Sequence, residues 1–403
     1  MPASSATSAR PVAAALAAGA ILAVAMGFGR FAYTGMYPLM VRDGLLHLSS
    51  GSLAASANYA GYLAGALALA RMRAASAARL CRMGLAGTVI VLAAMALPLP
   101  ELLLYALRFA AGVASAMAMV AAAAWLFQVM GRPDGAAILF AGVGVGIVLS
   151  AELIAAGNVA GLGSGALWGI QAIAAGLICL ALWRTLAAPG IRPAAPPARQ
   201  ASPSQKRRDL GPWPLILSYG LAGFGYIITA TYLPLFVRDA LTDIDPVHLW
   251  AAFGLGAIPA CFWWHGLNRR LGSRRAMMLN LLLQALGVIL PALSHSLPAY
   301  LASALLVGGT FTGTVTIAMP AARQVAARVP FNILAAITAA YGVGQIAGPL
   351  ASDWLYRFGY GFDLPLAAAC AALLLGAAVC LWPDGARIER GAIAGACAPT
   401  IDS

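Results

Sequence analysis

Three ionisable residues of this 403-residue chain lie deep inside apolar runs: Arg30, Arg108 and Glu152. A charge in such surroundings costs about 2.5–3.5 kcal/mol even on a lenient insertion scale, so each must face protein or water. A guanidinium offers a planar fork that meets a carboxylate with two hydrogen bonds at once. A carboxyl group in a dry site beside an arginine has its pKa pulled both ways, which suits it to carry a proton. The chemistry expected is anion binding by Arg30 and Arg108 and proton carriage by Glu152. One Glu neutralises one Arg and leaves a surplus positive charge. The competing reading is a structural Arg–Glu pair that locks the surrounding helices.

Neighbouring residues extend this set. Arg30, Tyr33, Thr34 and Tyr37 share one face at helical spacing. Residues 27–45 (GFGRFAYTGMYPLMVRDGL) recur as residues 223–241 (GFGYIITATYLPLFVRDAL), and the shift of 196 positions sets Tyr226 against Arg30 and Thr229 against Tyr33. Tyr33 and Tyr226 are candidate cargo contacts by ring and hydroxyl, and packing near the membrane interface is the alternative. Asn58, Tyr59 and Tyr62 are weaker candidates. Gln345, between Gly344 and Gly348, is a candidate from the second half.

The elements that carry these residues follow from composition. Hydrophobic residues make up 62% of the chain and charged ones 9%, against about 45–50% and 25% in soluble domains. Runs of about 20 apolar residues recur, each long enough to cross a hydrocarbon core of roughly 30 Å. The class is an all-α polytopic membrane protein; the runs do not alternate as barrel strands do. Helices are expected from Val12 through Pro38, then over about 52–70, 81–97, 101–129, 136–157 and 165–186. A Pro-, Ser- and Arg-rich linker covers 187–212. Six more helices follow, over about 213–237, 248–267, 276–293, 298–322, 333–355 and 363–382. The domains expected are a tail (1–11), a six-helix bundle (12–186), the linker, a second bundle (213–383) and a tail (384–403).

The net charge of +12 is a topology signal. Of 25 Lys and Arg, only Arg42, Arg238 and Arg357 fall in loops on one side, while Arg30 and Arg108 lie within spans; the other 20 collect on the opposite side. By the positive-inside rule both termini are cytoplasmic. No nucleic-acid partner is expected.

Twelve helices in two pseudo-symmetric halves around a cytoplasmic linker resemble the major facilitator superfamily. LYALRFAAGVASA, with Arg108 followed four residues later by Gly112, is similar to that family's helix 4 signature. Arg270, Gly272, Arg274 and Arg275 resemble its basic loop motif, although Arg269 stands where the motif has Asp. GFGRFAYTGMYPLM and AAYGVGQIAGPLAS resemble the YbfB/YjiJ-like branch. The resemblance implies a secondary active transporter of a bacterial inner membrane, working by alternating access as a monomer. It also implies that Arg30 and Arg108 line a central cavity. With the buried charges, the expected cargo is a small organic anion moved together with protons. The alternatives are a multidrug-type exporter of amphipathic compounds and a non-transporting sensor of the same fold.

Gly142, Gly144 and Gly146 (GVGVG) and Gly342, Gly344, Gly348 and Pro349 (GVGQIAGP) lie within expected membrane helices. Neither follows a strand, so they are read as packing or hinge positions rather than a nucleotide loop. The six cysteines form no CxxC pair, and no nucleophile elbow, HExxH or phosphate loop appears. No enzyme activity, metal or cofactor is expected.

Overall fold

A computed structural model describes residues 5–187, 209–238 and 245–382. Every regular element among these residues is a helix, which satisfies its backbone groups internally, as a dry surrounding requires. The first rod has three parts: α1 (Ser5–Leu22), a π-helical stretch (Ala23–Phe31) and α2 (Ala32–Arg42). Then come α3 (Leu48–Ala68), α4 (Ala77–Ala94), α5 (Glu101–Ala124), α6 (Ala136–Val159) and α7 (Ser164–Trp183). The second set is α8 (Pro212–Arg238), α9 (Val247–Leu271), α10 (Ser273–Leu293), α11 (Leu297–Val325), α12 (Ile333–Leu355) and α13 (Asp363–Val379). The helix of α1 extends back to Ser5, ahead of the Val12 start expected. The last tail and most of the expected linker lie outside the described residues.

Among the described residues, ten helices are long and apolar enough to cross a membrane. α3 and α13 are not among them. α13 is apolar but has 17 residues. α3 has 21 residues, yet Ser52, Ser56, Asn58 and Tyr59 lower its hydropathy. Each of these side chains bonds to another helix. The Tyr232 hydroxyl donates to Ser52 at 2.7 Å, and Ser56 donates to the Ile346 carbonyl at 3.1 Å. Asn58 donates to the Arg108 carbonyl at 2.9 Å, and Tyr59 and Thr231 share a bond of 3.0 Å. The polarity of α3 therefore faces protein.

The helices before residue 187 pack largely among themselves, as do those after 212, through corresponding pairs: α3 on α5 and α9 on α11, α1 on α6 and α8 on α12. Among the described residues the two sets meet mainly where α6 packs on α9, α3 on α12, and α2 on α8 and, more lightly, on α9. Small residues permit these approaches. A Cβ on Gly142 would stand 2.0 Å from the Gly19 carbonyl oxygen, and one on Gly146 2.3 Å from that of Ala23. Gly344 meets Gly220 in the same way at 2.3 Å, and Gly348 meets the Ile227 side chain. Gly144 and Gly342 face the opposite set instead, towards Gly254 and Leu63. The carbonyl of Pro349 accepts the Tyr232 hydroxyl at 3.1 Å.

At the turn between α9 and α10, Gly272 adopts φ +80°, a conformation glycine tolerates. Ser273 accepts the Leu210 N–H at 2.9 Å and donates to Asp209 at 3.4 Å. Asp209 thus brings to this turn an acid of the kind that Arg269 replaces in the motif. Arg274 donates to the carbonyls of Cys380 (2.9 Å) and Trp382 (2.6 Å). Arg270 and Arg275 are exposed.

Candidate functional site

The site is built on the π-helical stretch of the first rod. A π turn closes its bonds five residues apart, as the Ala32 N–H does on the Gly27 carbonyl. Such turns recur at functional sites because they displace the regular ladder. Here three successive carbonyls accept side chains from other helices. Arg108 of α5 donates to Gly29 (3.4 Å) and Arg30 (3.2 Å), and the Trp250 indole of α9 donates to Phe31 (3.0 Å). Gly27 has no room for a side chain; a Cβ there would stand 2.3 Å from the Gly146 backbone.

The stretch aims Arg30 across the boundary between the two helix sets. Arg30 is 3% exposed. Its Nη2 donates to Gln345 Oε1 of α12 at 3.0 Å, and the Gln345 amide donates in turn to the Tyr226 hydroxyl of α8. The guanidinium lies 4.0 Å from the ring centre of Tyr62, 5.0 Å from Tyr59 and 5.3 Å from Phe31. Arg108 is 2% exposed and stands 4.3 Å over Tyr33, whose hydroxyl donates to the Gly51 carbonyl at 2.9 Å. Tyr33 stacks on Tyr37 at 5.4 Å. Beyond Gln345, Tyr226 stacks between Phe311 (5.5 Å) and Tyr341 (5.7 Å), and Tyr341 on Tyr219 (4.3 Å).

The electrostatics are one-sided. Among the described residues no Asp or Glu pairs with either arginine. Each cation–π contact recovers about 0.5–2 kcal/mol, so ring faces and carbonyls hold the guanidinium groups without cancelling their charge. On the first rod, α3, α5 and α8 the buried polar atoms without a partner among the described residues are Arg30 Nε, Asn58 Oδ1, Arg108 Nε and Thr229 Oγ1.

Of the residues expected from the sequence, Arg30, Tyr33, Arg108, Tyr226 and Gln345 come together. Glu152 does not join them. It is half-exposed, with 47% of its side chain accessible, and pairs with His248 Nδ1 at 3.1 Å. The expected neutralisation of an arginine by Glu152 is therefore replaced by a pair with α9. The reason is helical phase. Gly142 and Gly146 turn towards the first rod, and six residues at 3.6 per turn put Glu152 about 120° from Gly146. Tyr341 and Phe311 were not singled out in the sequence, nor was His248 as a partner for Glu152. The helical spacing of Asn58, Tyr59 and Tyr62 on an unusually polar helix was the available signal for that wall.

Among the described residues, eight hydrogen bonds cross between the two helix sets. They are Arg30–Gln345, Thr34–Ala230, Ser56–Ile346, Tyr59–Thr231, Tyr232–Ser52, Trp250–Phe31, Glu152–His248 and Asn158–Asp245. By residue count along the helices, all eight lie level with Arg30 or between it and the end of the rod at Arg42. A groove of about 330 Å³ beside this seam, lined by Leu53, Ala57, Ala60, Ile346 and Leu350 among others, has no charged lining residue.

A family model described as an uncharacterised MFS-type transporter, YbfB, matches residues 22–381. No curated protein matches the chain.

Proposed function

The chain belongs to this family of YbfB-like MFS-type transporters, and on that premise we propose that it carries a small organic anion across the membrane by alternating access. It is a multi-pass membrane protein of a transporter family, with ten helices among the described residues long and apolar enough to cross a membrane. In this reading the fold is twelve membrane helices in two pseudo-symmetric six-helix bundles, with α3 and α13 completing the ten. The membrane is a bacterial inner membrane with both termini cytoplasmic, as the loop charges favour.

The observation that carries the reading is the pair of buried guanidinium groups with no carboxylate partner among the described residues, placed where the two helix sets meet. The two have different duties. Arg108 holds the carbonyls of the π turn, and Arg30 is the anion ligand. The eight crossing bonds support a conformation closed on the side of Arg42, with access from the opposite side. An exporter of cationic amphiphiles would want a buried acid, and the residues around Arg30 provide none among those described.

A coupled proton belongs to this reading, with Glu152 as its carrier and His248 as its partner. Their pair joins α6 to α9, so a change of protonation there loosens one crossing contact. In proteoliposomes Glu152→Gln is expected to flatten the pH dependence of uptake; an unchanged profile removes Glu152 from this role.

The test of the cargo class is ligand-induced thermal stabilisation of the purified protein in detergent. The panel holds small carboxylates, organic cations and neutral amphiphiles. A ligand at 100 times its Kd adds about 2.7 kcal/mol of stability. Stabilisation by carboxylates that is absent in Arg30→Gln is the expected result. Stabilisation by cations or amphiphiles alone, unchanged in the variant, overturns it.

A further inference from the structure

The walls around Arg30 narrow the anion further. We propose that the ligand is an aromatic monocarboxylate, bound by its carboxylate to Nε and Nη2 of Arg30 with its ring against the surrounding tyrosine faces. This rests on the anion reading given above.

The count of carboxylates comes from the donors. In a guanidinium, Nε–H and one Nη2–H point the same way and form the side-on prongs of the fork. On Arg30 the first prong has no partner and the second is held by the neutral Gln345 carbonyl. A carboxylate that displaces Gln345 meets both prongs, and a charge-assisted bidentate pair is stronger than a bond to a neutral amide. Arg108 also has an Nε without a partner, but its Nη1 and Nη2 are held by the backbone carbonyls of Gly29 and Arg30, which, unlike a side-chain amide, cannot turn away to admit a carboxylate. One fork is therefore open, which accommodates one carboxylate.

The body of the ligand is set by the walls. Tyr62, Tyr59 and Phe31 present rings to the guanidinium from one side. On the other side Tyr226 lies nearly parallel to Phe311 (12°) and to Tyr341 (16°), and Tyr219 continues the stack at 20° to Tyr341. Ring faces reward a flat aromatic partner by about 0.5–1.5 kcal/mol beyond the area it buries. They leave extra hydroxyl groups of a sugar acid without partners, at a desolvation cost. A zwitterion would bring its ammonium beside two guanidinium groups. Among the described residues no Asp or Glu bonds to Tyr59, Tyr62, Tyr226 or Tyr341 to receive it.

Calorimetric titration of the purified full-length protein with benzoate, cyclohexanecarboxylate, butyrate and benzamide separates the two levels. Cyclohexanecarboxylate matches benzoate in charge and approximate size but lacks the π face, and benzamide keeps the ring without the charge. Benzoate is expected to bind about 3- to 10-fold more tightly than cyclohexanecarboxylate, with no binding of benzamide. Tyr226→Leu should bring the two acids towards parity while both still bind. Equal or tighter binding of cyclohexanecarboxylate or butyrate overturns the aromatic assignment and leaves the anion reading standing. Binding of benzamide as tight as benzoate, or of no carboxylate at all, overturns both.

Discussion

The surroundings of Arg30 and of Arg108 hold the same side chain at nearly the same burial, 3% and 2% exposed, and use it differently. Around Arg108 both terminal nitrogens reach backbone carbonyls within its own helix set. Around Arg30 the partner is a neutral side chain from the other set, itself tied to a tyrosine hydroxyl. A guanidinium on carbonyls is a strut, because its acceptors cannot leave without unfolding the turn. A guanidinium on an amide is a seat, because the amide can turn away. Residue type and depth are equal in the two regions, so the difference lies in the acceptors.

Arg30→Gln should have the largest effect on binding. It removes two charge-assisted bonds at about 1.5–3 kcal/mol each, so carboxylate affinity should fall roughly 100-fold or more. Arg108→Gln should act mainly on stability. It leaves two buried carbonyls short of a donor at about 1–3 kcal/mol each, lowering the thermal midpoint of the ligand-free protein. A normal midpoint with lost binding in that variant would make Arg108 a second ligand. Gly27→Ala forces a Cβ to 2.3 Å from the Gly146 backbone, and overpacking of this kind costs about 1–3 kcal/mol. Its effect on melting should resemble that of Arg108→Gln, since both disturb the π turn. Gln345→Ala removes the internal competitor for Nη2. It should tighten carboxylate binding several-fold, in line with a hydrogen bond worth about 1 kcal/mol, and weaker binding would show that Gln345 touches the cargo instead. Glu152→Gln, at a half-exposed pair, should change stability by no more than about 1 kcal/mol.

The sequence made the charged residues conspicuous because an arginine within an apolar run has few tolerable surroundings. Composition revealed the helices for the same reason, and the 196-residue repeat linked Tyr226 to the level of Arg30. The π turn was not legible. The freed carbonyls exist only once α5 and α9 lie against the rod. Glu152 lies inside an apolar run as the arginines do, but such a run says nothing of azimuth, and the face of α6 that meets the first rod is the one with Gly142 and Gly146. Tyr341 and Phe311 read as ordinary membrane-helix aromatics, and only the stack with Tyr226 distinguishes them. α3 forms as a helix over Leu48–Ala68 where one is expected over about 52–70, and the polar residues that keep it out of the apolar set bond to other helices.

The most direct test of the account measures benzoate affinity and ligand-free melting together in wild type, Arg30→Gln and Arg108→Gln. The account predicts lost affinity with a near-normal midpoint for Arg30→Gln. For Arg108→Gln it predicts a lowered midpoint with binding retained in the folded fraction. The reverse assignment, or carboxylate binding unchanged in Arg30→Gln, would contradict it.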